Sequence, residues 1–254
     1  MRLSVLCVVV LLLTGCASQS GGGDGDVKQD SSRAQESAKI HTELAGMYYE
    51  RAKYGFALEE LTTALKKDSD YAPAYNVRGL VHMALLEDEL AERDFKRSLY
   101  LDDDNSSAHN NYGWFLCQRG RELESVKHFM AAVKNPLYAT PEKAFLNAGL
   151  CSKKAGKLNE AESYMKRALL IQPKMSEALL GMAELNYAKA DYAGAKSFFV
   201  RFTQVAPELT AANLLLAIRI ERKMGDRNSE ASYKVQLRKR FPDSRETQLM
   251  LSGE

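Results

Sequence analysis

Small and bulky apolar residues recur between polar stretches at a nearly constant interval along most of the chain. From residue 38 onward a small residue returns every 34 positions, with one interval of 36. A second small residue follows after twelve positions and a bulky one four positions later. Because residues four apart share one face of a helix, the small residue allows a neighbouring helix to approach and the bulky one fills the adjoining space. The first set is Ala45, Gly79, Gly113, Gly149, Ala183 and Ala217; the second is Ala57, Ala91, Ser125, Ala161, Ala195 and Ser229; the third is Leu61, Phe95, Phe129, Met165, Phe199 and Tyr233.

An interval of 34 residues is the length of a unit of two antiparallel helices. Turn residues support this reading, since Gly120, Gly156 and Gly225 would end first helices and Pro173, Pro207 and Pro242 would follow second helices. Neither helix of such a unit can bury its apolar stripe alone, so the pattern predicts an all-α solenoid of stacked helix pairs. The predicted units are residues 38–71, 72–105, 106–139, 142–175, 176–209 and 210–243.

The pattern resembles the tetratricopeptide repeat family over about 205 of the 254 residues. The resemblance implies a right-handed superhelical solenoid of six repeats with about 12–13 helices. Two extra residues fall within residues 135–141, between the third and fourth units, and predict a change of pitch there. The sixth unit is the least regular, with Gln236 where the other units carry Ala, Ser or Phe, as expected of a terminal unit with a polar outer face.

By the same resemblance, exposed side chains of the first helices line a concave face that binds partners. In the second to fourth units this face would carry asparagine amides that can hydrogen-bond a peptide backbone, beside apolar side chains that can hold a helix or an extended segment. Trp114, the only tryptophan, is the expected anchor. The alternative for each side chain is that it packs against the next unit. The candidate groove residues are Tyr49, Asn76, Leu80, Met83, Asn110, Trp114, Leu146 and Leu150.

The beginning of the chain has the pattern of an exported protein. Arg2 precedes an apolar run over residues 3–13, which is too short for a transmembrane helix but fits a signal peptide over residues 1–15. The sequence Leu-Thr-Gly-Cys at residues 13–16 resembles a bacterial lipobox. That resemblance implies that the thiol of Cys16 is acylated and that the chain is cut just before it.

The residues after the lipobox suggest how the protein is anchored. Ala17 instead of aspartate implies, in the lipoprotein family, sorting to the periplasmic face of the outer membrane. Several acyl chains hold a protein firmly to lipid without any protein surface. Residues 16–33, rich in Gly, Ser and Asp, predict a flexible tether, and residues 34–37 are expected to extend the first helix.

The sequence contains no recognisable catalytic or metal-binding motif. The histidines lack zinc-ligand spacing, and no phosphate-binding loop or nucleophile elbow is present. Residues 102–106 (Asp-Asp-Asp-Asn-Ser) lack the glycine and glutamate of a calcium-binding loop, so they are interpreted as a turn that caps the next helix. The net charge of +2 gives no support for a nucleic-acid partner. We therefore expect a non-enzymatic protein without a metal, cofactor or small-molecule substrate.

Cys117 and Cys151 are the two cysteines of the predicted repeat region. Both lie late in the first helices of neighbouring units, on either side of the two-residue insertion. In an oxidising periplasm they can form a disulfide if their Cα atoms come within about 7 Å. The alternative is that they are two small buried apolar side chains.

Together, the lipobox, the short polar segment and the six repeats resemble the layout of type IV pilus biogenesis lipoproteins of the PilF/PilW type. In that family the protein is a pilotin, which binds secretin subunits and promotes their outer-membrane localisation and assembly into a ring. The resemblance therefore implies a secretin partner and a lipid anchor. The competing hypothesis is another periplasmic repeat lipoprotein that scaffolds β-barrel insertion or cell-wall enzymes.

Overall fold

The computed structural model describes residues 24–253. The predicted signal peptide, Cys16 and the beginning of the predicted tether lie outside the described residues. Residues 24–253 form thirteen α-helices and no strand. The helices are α1 (Asp24–Glu50), α2 (Tyr54–Lys67), α3 (Ala72–Ala84), α4 (Asp88–Leu101), α5 (Ser106–Gln118), α6 (Glu122–Ala132), α7 (Pro141–Lys154), α8 (Leu158–Ile171), α9 (Ser176–Ala188), α10 (Tyr192–Thr203), α11 (Ala211–Met224), α12 (Arg227–Arg240) and α13 (Arg245–Ser252).

The helices pair as the repeat interval predicts. Each odd-numbered helix from α1 to α11 packs against the even-numbered helix that follows it, and each pair contacts the next. From the second unit onward, the first helices begin within one residue of the predicted unit boundaries. The prediction of an all-α tetratricopeptide solenoid is confirmed, with α13 added after the sixth pair.

The repeated small and bulky residues meet in the core between the two helices of a unit. A Cβ atom added to Gly79 would lie 2.8 Å from the ring of Phe95, and one added to Gly149 would lie 2.7 Å from the side chain of Met165. Such distances are shorter than real Cβ contacts, so the bulky side chain occupies the space that the glycine leaves. Except for Ser229 and Tyr233 of the sixth unit, which are half-buried, all members of the three repeated sets are buried.

The turn inside each unit contains one residue in the left-handed region. Glycine is the residue of lowest cost there, because it has no Cβ atom to approach the carbonyl oxygen. Three of the turns carry a larger residue and therefore hold local strain. The glycines are Gly120 (φ 78°), Gly156 (φ 74°) and Gly225 (φ 74°), and the larger residues are Ala52 (φ 54°), Leu86 (φ 63°) and Ala190 (φ 61°).

Replacing Leu86 with glycine is expected to raise the free energy of unfolding by about 0.5–1 kcal/mol. Leu86 is 77 % exposed, so little packing is lost. The relieved strain, about 1–2 kcal/mol, is partly offset by the greater freedom of glycine in the unfolded chain. Urea denaturation measures the change. Leu86→Ala keeps the Cβ atom and serves as the control, and equal stability of the two variants would contradict the prediction.

The first helix is longer than the sequence predicts. α1 begins at Asp24, so residues 24–33 are helical, whereas residues 16–33 were predicted to form a flexible tether. Once residues 38–50 are packed in the first unit, each added residue contributes a helical hydrogen bond without a new nucleation cost. An ion pair between Arg33 and Asp30 (3.7 Å) lies on this exposed extension. The predicted helical extension over residues 34–37 is confirmed.

Candidate partner-binding face

The first helices of successive units lie side by side and form one face of the solenoid. The first helices α1, α3, α5, α7 and α9 contact one another in sequence, and α11 contacts α13. We call the surface formed by α1, α3, α5, α7, α9 and α11 the first-helix face. This is the surface on which the sequence places the partner-binding groove.

The structure divides the eight predicted groove residues between the core and the first-helix face. Asn76 and Leu146 are each 7 % exposed, so the prediction that they are exposed to a partner is wrong. Leu146 instead belongs to the core cluster of the fourth and fifth units. The other six are half-buried, and each apolar one among them packs against a core cluster while part of its side chain stays exposed. These six are Tyr49, Leu80, Met83, Asn110, Trp114 and Leu150.

Asparagine side chains link three neighbouring first helices. Asn147 on α7 donates to Oδ1 of Asn110 on α5 at 3.1 Å, and Asn111 on α5 donates to Oδ1 of Asn76 on α3 at 3.1 Å. The two side-chain carbonyl groups that were predicted to hold a peptide backbone therefore already accept a hydrogen bond within the protein. We interpret this asparagine chain as a connection between units, because buried polar groups need such partners.

A disulfide bond joins the third unit to the fourth. It links Cys117 on α5 to Cys151 on α7, with the Cα atoms 5.9 Å apart. Both residues are buried in one core cluster together with Phe129, and Trp114 packs against this cluster. The predicted anchor thus rests against a cross-linked part of the core, which fixes the position of the indole ring on the first-helix face.

Glu92 on α4 connects the second unit to the third through hydrogen bonds to one carboxylate oxygen. Its Oε1 atom accepts from the hydroxyl group of Tyr112 and from Arg121, each at 2.9 Å, and pairs with Lys96 at 2.8 Å. Burial raises the pKa of Glu92, but these three hydrogen bonds together outweigh it and lower the pKa to about 2. The carboxylate is therefore charged at neutral pH, and it holds the start of α6 against α4.

Two histidines of the third unit meet between α5 and α6. The Nδ1 atoms of His109 and His128 lie 2.9 Å apart, and Nε2 of His109 lies 2.9 Å from the backbone carbonyl oxygen of Asp103. A nitrogen that faces a carbonyl must carry the proton, so Nδ1 of His109 accepts and Nδ1 of His128 donates. Burial, followed by the positive charge of a protonated His109, lowers the pKa of His128 to about 4.

This histidine pair predicts a loss of stability as the pH falls from about 6.5 to about 4. The folded state keeps His128 neutral in this range, whereas the unfolded chain takes up a proton, so stability falls as protons are added. We expect a loss of about 1–2 kcal/mol, because partial exposure reduces the full linkage effect. Urea denaturation at several pH values measures it. His128→Gln can still donate to His109 but does not titrate, so the same pH slope in this variant would contradict the prediction.

An opening on the first-helix face lies nearer the C-terminus than the predicted groove. It is a cavity of about 600 Å³ between α9, α11 and α13, with α7 and the start of α8 at its edge. Its lining includes Tyr187, Leu216, Arg219, Arg245 and Leu249. The repeat pattern could not predict this cavity, because α13 lies outside the repeats. The irregular sixth unit is the available signal in the sequence, and it predicts only a polar outer face.

The described part of the chain offers neither a metal cluster nor a membrane span. No group of three His, Cys, Asp or Glu side chains within it could hold a metal ion. No helix within residues 24–253 combines the length and the apolar composition needed to cross a membrane. The predicted turn at residues 102–106 is confirmed as a helix cap, since the side chain of Asn105 accepts a hydrogen bond from the backbone N–H of Ala108 at 2.9 Å.

Six stacked helix pairs with an open first-helix face define a tetratricopeptide repeat protein. A family model for the tetratricopeptide repeat matches residues 153–218. The chain is 30 % identical to the type IV pilus assembly protein PilF of Pseudomonas aeruginosa over 247 residues, which cover 97 % of this chain and 96 % of that protein. The chain therefore belongs to the PilF family of type IV pilus assembly proteins.

Two solved structures agree with this assignment. The structure of PilW, described as a widely conserved type IV pilus biogenesis factor, has 34 % sequence identity and a TM-score of 0.79, and covers 84 % of this chain and 98 % of that one. The structure of Pseudomonas aeruginosa pilF has 29 % identity and a TM-score of 0.80, and covers 87 % of this chain and 99 % of that one. The expected resemblance to type IV pilus biogenesis proteins is confirmed.

Proposed function

We propose that this protein is a lipid-anchored pilotin on the periplasmic face of the outer membrane. In this role it binds secretin subunits and promotes their localisation and multimerisation during type IV pilus biogenesis. The observation that carries the proposal is the 30 % identity to PilF across 97 % of the chain. The lipobox at residues 13–16 supports the anchor, and the open first-helix face supports the binding of a protein client.

The proposed mechanism separates anchoring from binding. Acyl chains on Cys16 would fix the protein to the outer membrane at about 0.8 kcal/mol per buried methylene group. The half-buried apolar side chains of the first-helix face would then hold a client segment while leaving the rest of the client free to assemble. Such a protein needs no catalytic group, because it acts by binding and positioning.

Replacing Trp114 with alanine is expected to weaken secretin binding by about tenfold or more, because aromatic side chains that a partner covers contribute most to such interfaces. Cells that carry the variant should show fewer secretin multimers on immunoblots and reduced twitching. The variant should keep its helical content, because Trp114 is only half-buried and the neighbouring disulfide remains. Circular dichroism checks this point, and a collapse of the fold would show that Trp114 is a core residue.

Tyr100→Ala is the matched control for Trp114→Ala. Tyr100 is 79 % exposed and lies on α4, a second helix outside the first-helix face. This variant should leave secretin multimers at the parental level. Deletion of the whole gene tests the proposed function directly: unchanged secretin multimers and pili would contradict it, and a defect in β-barrel insertion or cell-wall assembly would support the competing hypothesis.

A further inference from the structure

The cavity near the C-terminus is built from fixed elements. The side chain of Ser244 caps α13 by accepting from the backbone N–H of Thr247 at 3.1 Å, and Thr247 in turn donates to the carbonyl group of Phe241 at 2.7 Å. Met250 is buried against α11 and α12. Arg222 on α11 donates to the carbonyl group of Gly253 at 2.9 Å, just after the end of α13. These contacts hold α13 across the end of the first-helix face, where it forms one side of the cavity.

The cavity has the size and apolar lining of a ligand site. Its volume of about 600 Å³ lies within the range of 300–1,000 Å³ that is usual for such sites. Tyr187 on α9, Leu216 on α11 and Leu249 on α13 line it from three directions, and all three are half-buried. A large apolar side chain of a partner would therefore replace water on three sides.

The charges around this cavity favour an anion. Lys153 and Glu184 pair with each other. Arg219 and Arg245 also line the cavity, and neither makes an ion pair with any described residue. Of the two lining carboxylates, only that of Glu246 makes no ion pair with a described residue. The surrounding sequence is also positively charged. Residues 210–253 contain nine Lys or Arg and five Asp or Glu, whereas the whole chain has a net charge of only +2.

We propose that this terminal cavity binds an acidic peptide segment that carries a large apolar side chain. The apolar side chain enters between α9, α11 and α13, and the flanking carboxylates pair with Arg219 and Arg245. Guanidinium groups suit this role, because they bind carboxylates through two parallel hydrogen bonds. The inference rests on the proposed function in that it names the chemistry of a client segment, and it places that segment on the C-terminal side of the predicted groove.

Fluorescence anisotropy with the full chain in detergent tests the proposal. The probe is a labelled peptide of sequence Gly-Ser-Leu-Glu-Phe-Asp-Leu-Gly-Ser, and its counterpart replaces Glu and Asp with Gln and Asn. The acidic peptide should bind at least about tenfold more tightly than the neutral one, because charged hydrogen bonds are the stronger ones. The double variant Arg219→Gln/Arg245→Gln should remove this difference, and Leu249→Ala should weaken both peptides. Equal binding of the two peptides, or no binding of either, would overturn the proposal.

The matched control is Arg227→Gln/Arg238→Gln. Both of these arginines are exposed on α12, and removing them changes the net charge by the same amount without touching the cavity. An equal loss of binding in this control would show a general charge effect and overturn the site. Sedimentation of the wild-type protein tests the other occupant: a dimer that Leu249→Glu dissociates would show that a second copy fills the cavity. Loss of secretin assembly is a separate measurement, so the proposed function can fail while peptide binding persists.

Discussion

Replacing Phe95 with alanine is expected to lower the free energy of unfolding by about 3–5 kcal/mol. The ring is fully buried, packs against Gly79 of its own unit, and lies 5.8 Å from the ring of Tyr112 and 5.7 Å from that of Phe115 in the next unit. Its removal would leave a cavity at the junction of two units. Urea denaturation measures the loss.

Two further variants make this prediction specific. Tyr100→Ala on the same helix removes an aromatic ring that is 79 % exposed, so it should change stability by less than about 0.5 kcal/mol. Gly79→Ala should destabilise the wild type, because its Cβ atom would lie 2.8 Å from the Phe95 ring. In the Phe95→Ala background the same change should stabilise the protein, because the space is then free and alanine favours the helix. If Gly79→Ala destabilised the protein in both backgrounds, the packing argument would be wrong.

The second large effect is expected from loss of the disulfide. Replacing Cys117 and Cys151 together with alanine should lower the free energy of unfolding by about 2–4 kcal/mol, because the bond closes a loop of 34 residues in the unfolded chain. Denaturation with and without a reducing agent measures it. The agent should destabilise the wild type by a similar amount and leave the double variant unchanged.

The position of this bond also predicts an effect on the linker between the third and fourth units. It crosses the linker that carries the two extra residues, between α6 and α7, where the regular interval is broken. Proteolysis within residues 133–140 should therefore become faster in the double variant, because local opening of the linker is no longer restrained by the bond. Equal cleavage rates would show that the insertion is held by packing alone.

The repeat architecture could be predicted from the sequence because each unit obeys the same local packing rule. The contact between Gly79 and Phe95 has an equivalent between Gly149 and Met165, so the same type of close contact recurs in several units. Turn glycines and the Asn105 cap are also local signals. The interval could locate each helix because every unit contributes the same evidence.

The candidate site was less predictable because it depends on contacts between units. Whether Asn76 faces a partner or the neighbouring helix depends on the exact offset between α3 and α5, which a repeat interval does not encode. The cavity depends on α13, whose eight residues lie outside the repeats. The helical start of α1 was missed because composition describes isolated chains, whereas this segment continues a helix that is already packed.

The extension of α1 limits how far the first unit can lie from a lipid on Cys16. Residues 24–37 form a helical segment about 21 Å long before the first unit. Seven residues lie between Cys16 and this helix, so the eight Cα–Cα steps span at most about 28 Å. A lipid on Cys16 would therefore keep the start of the first unit within about 50 Å of the bilayer.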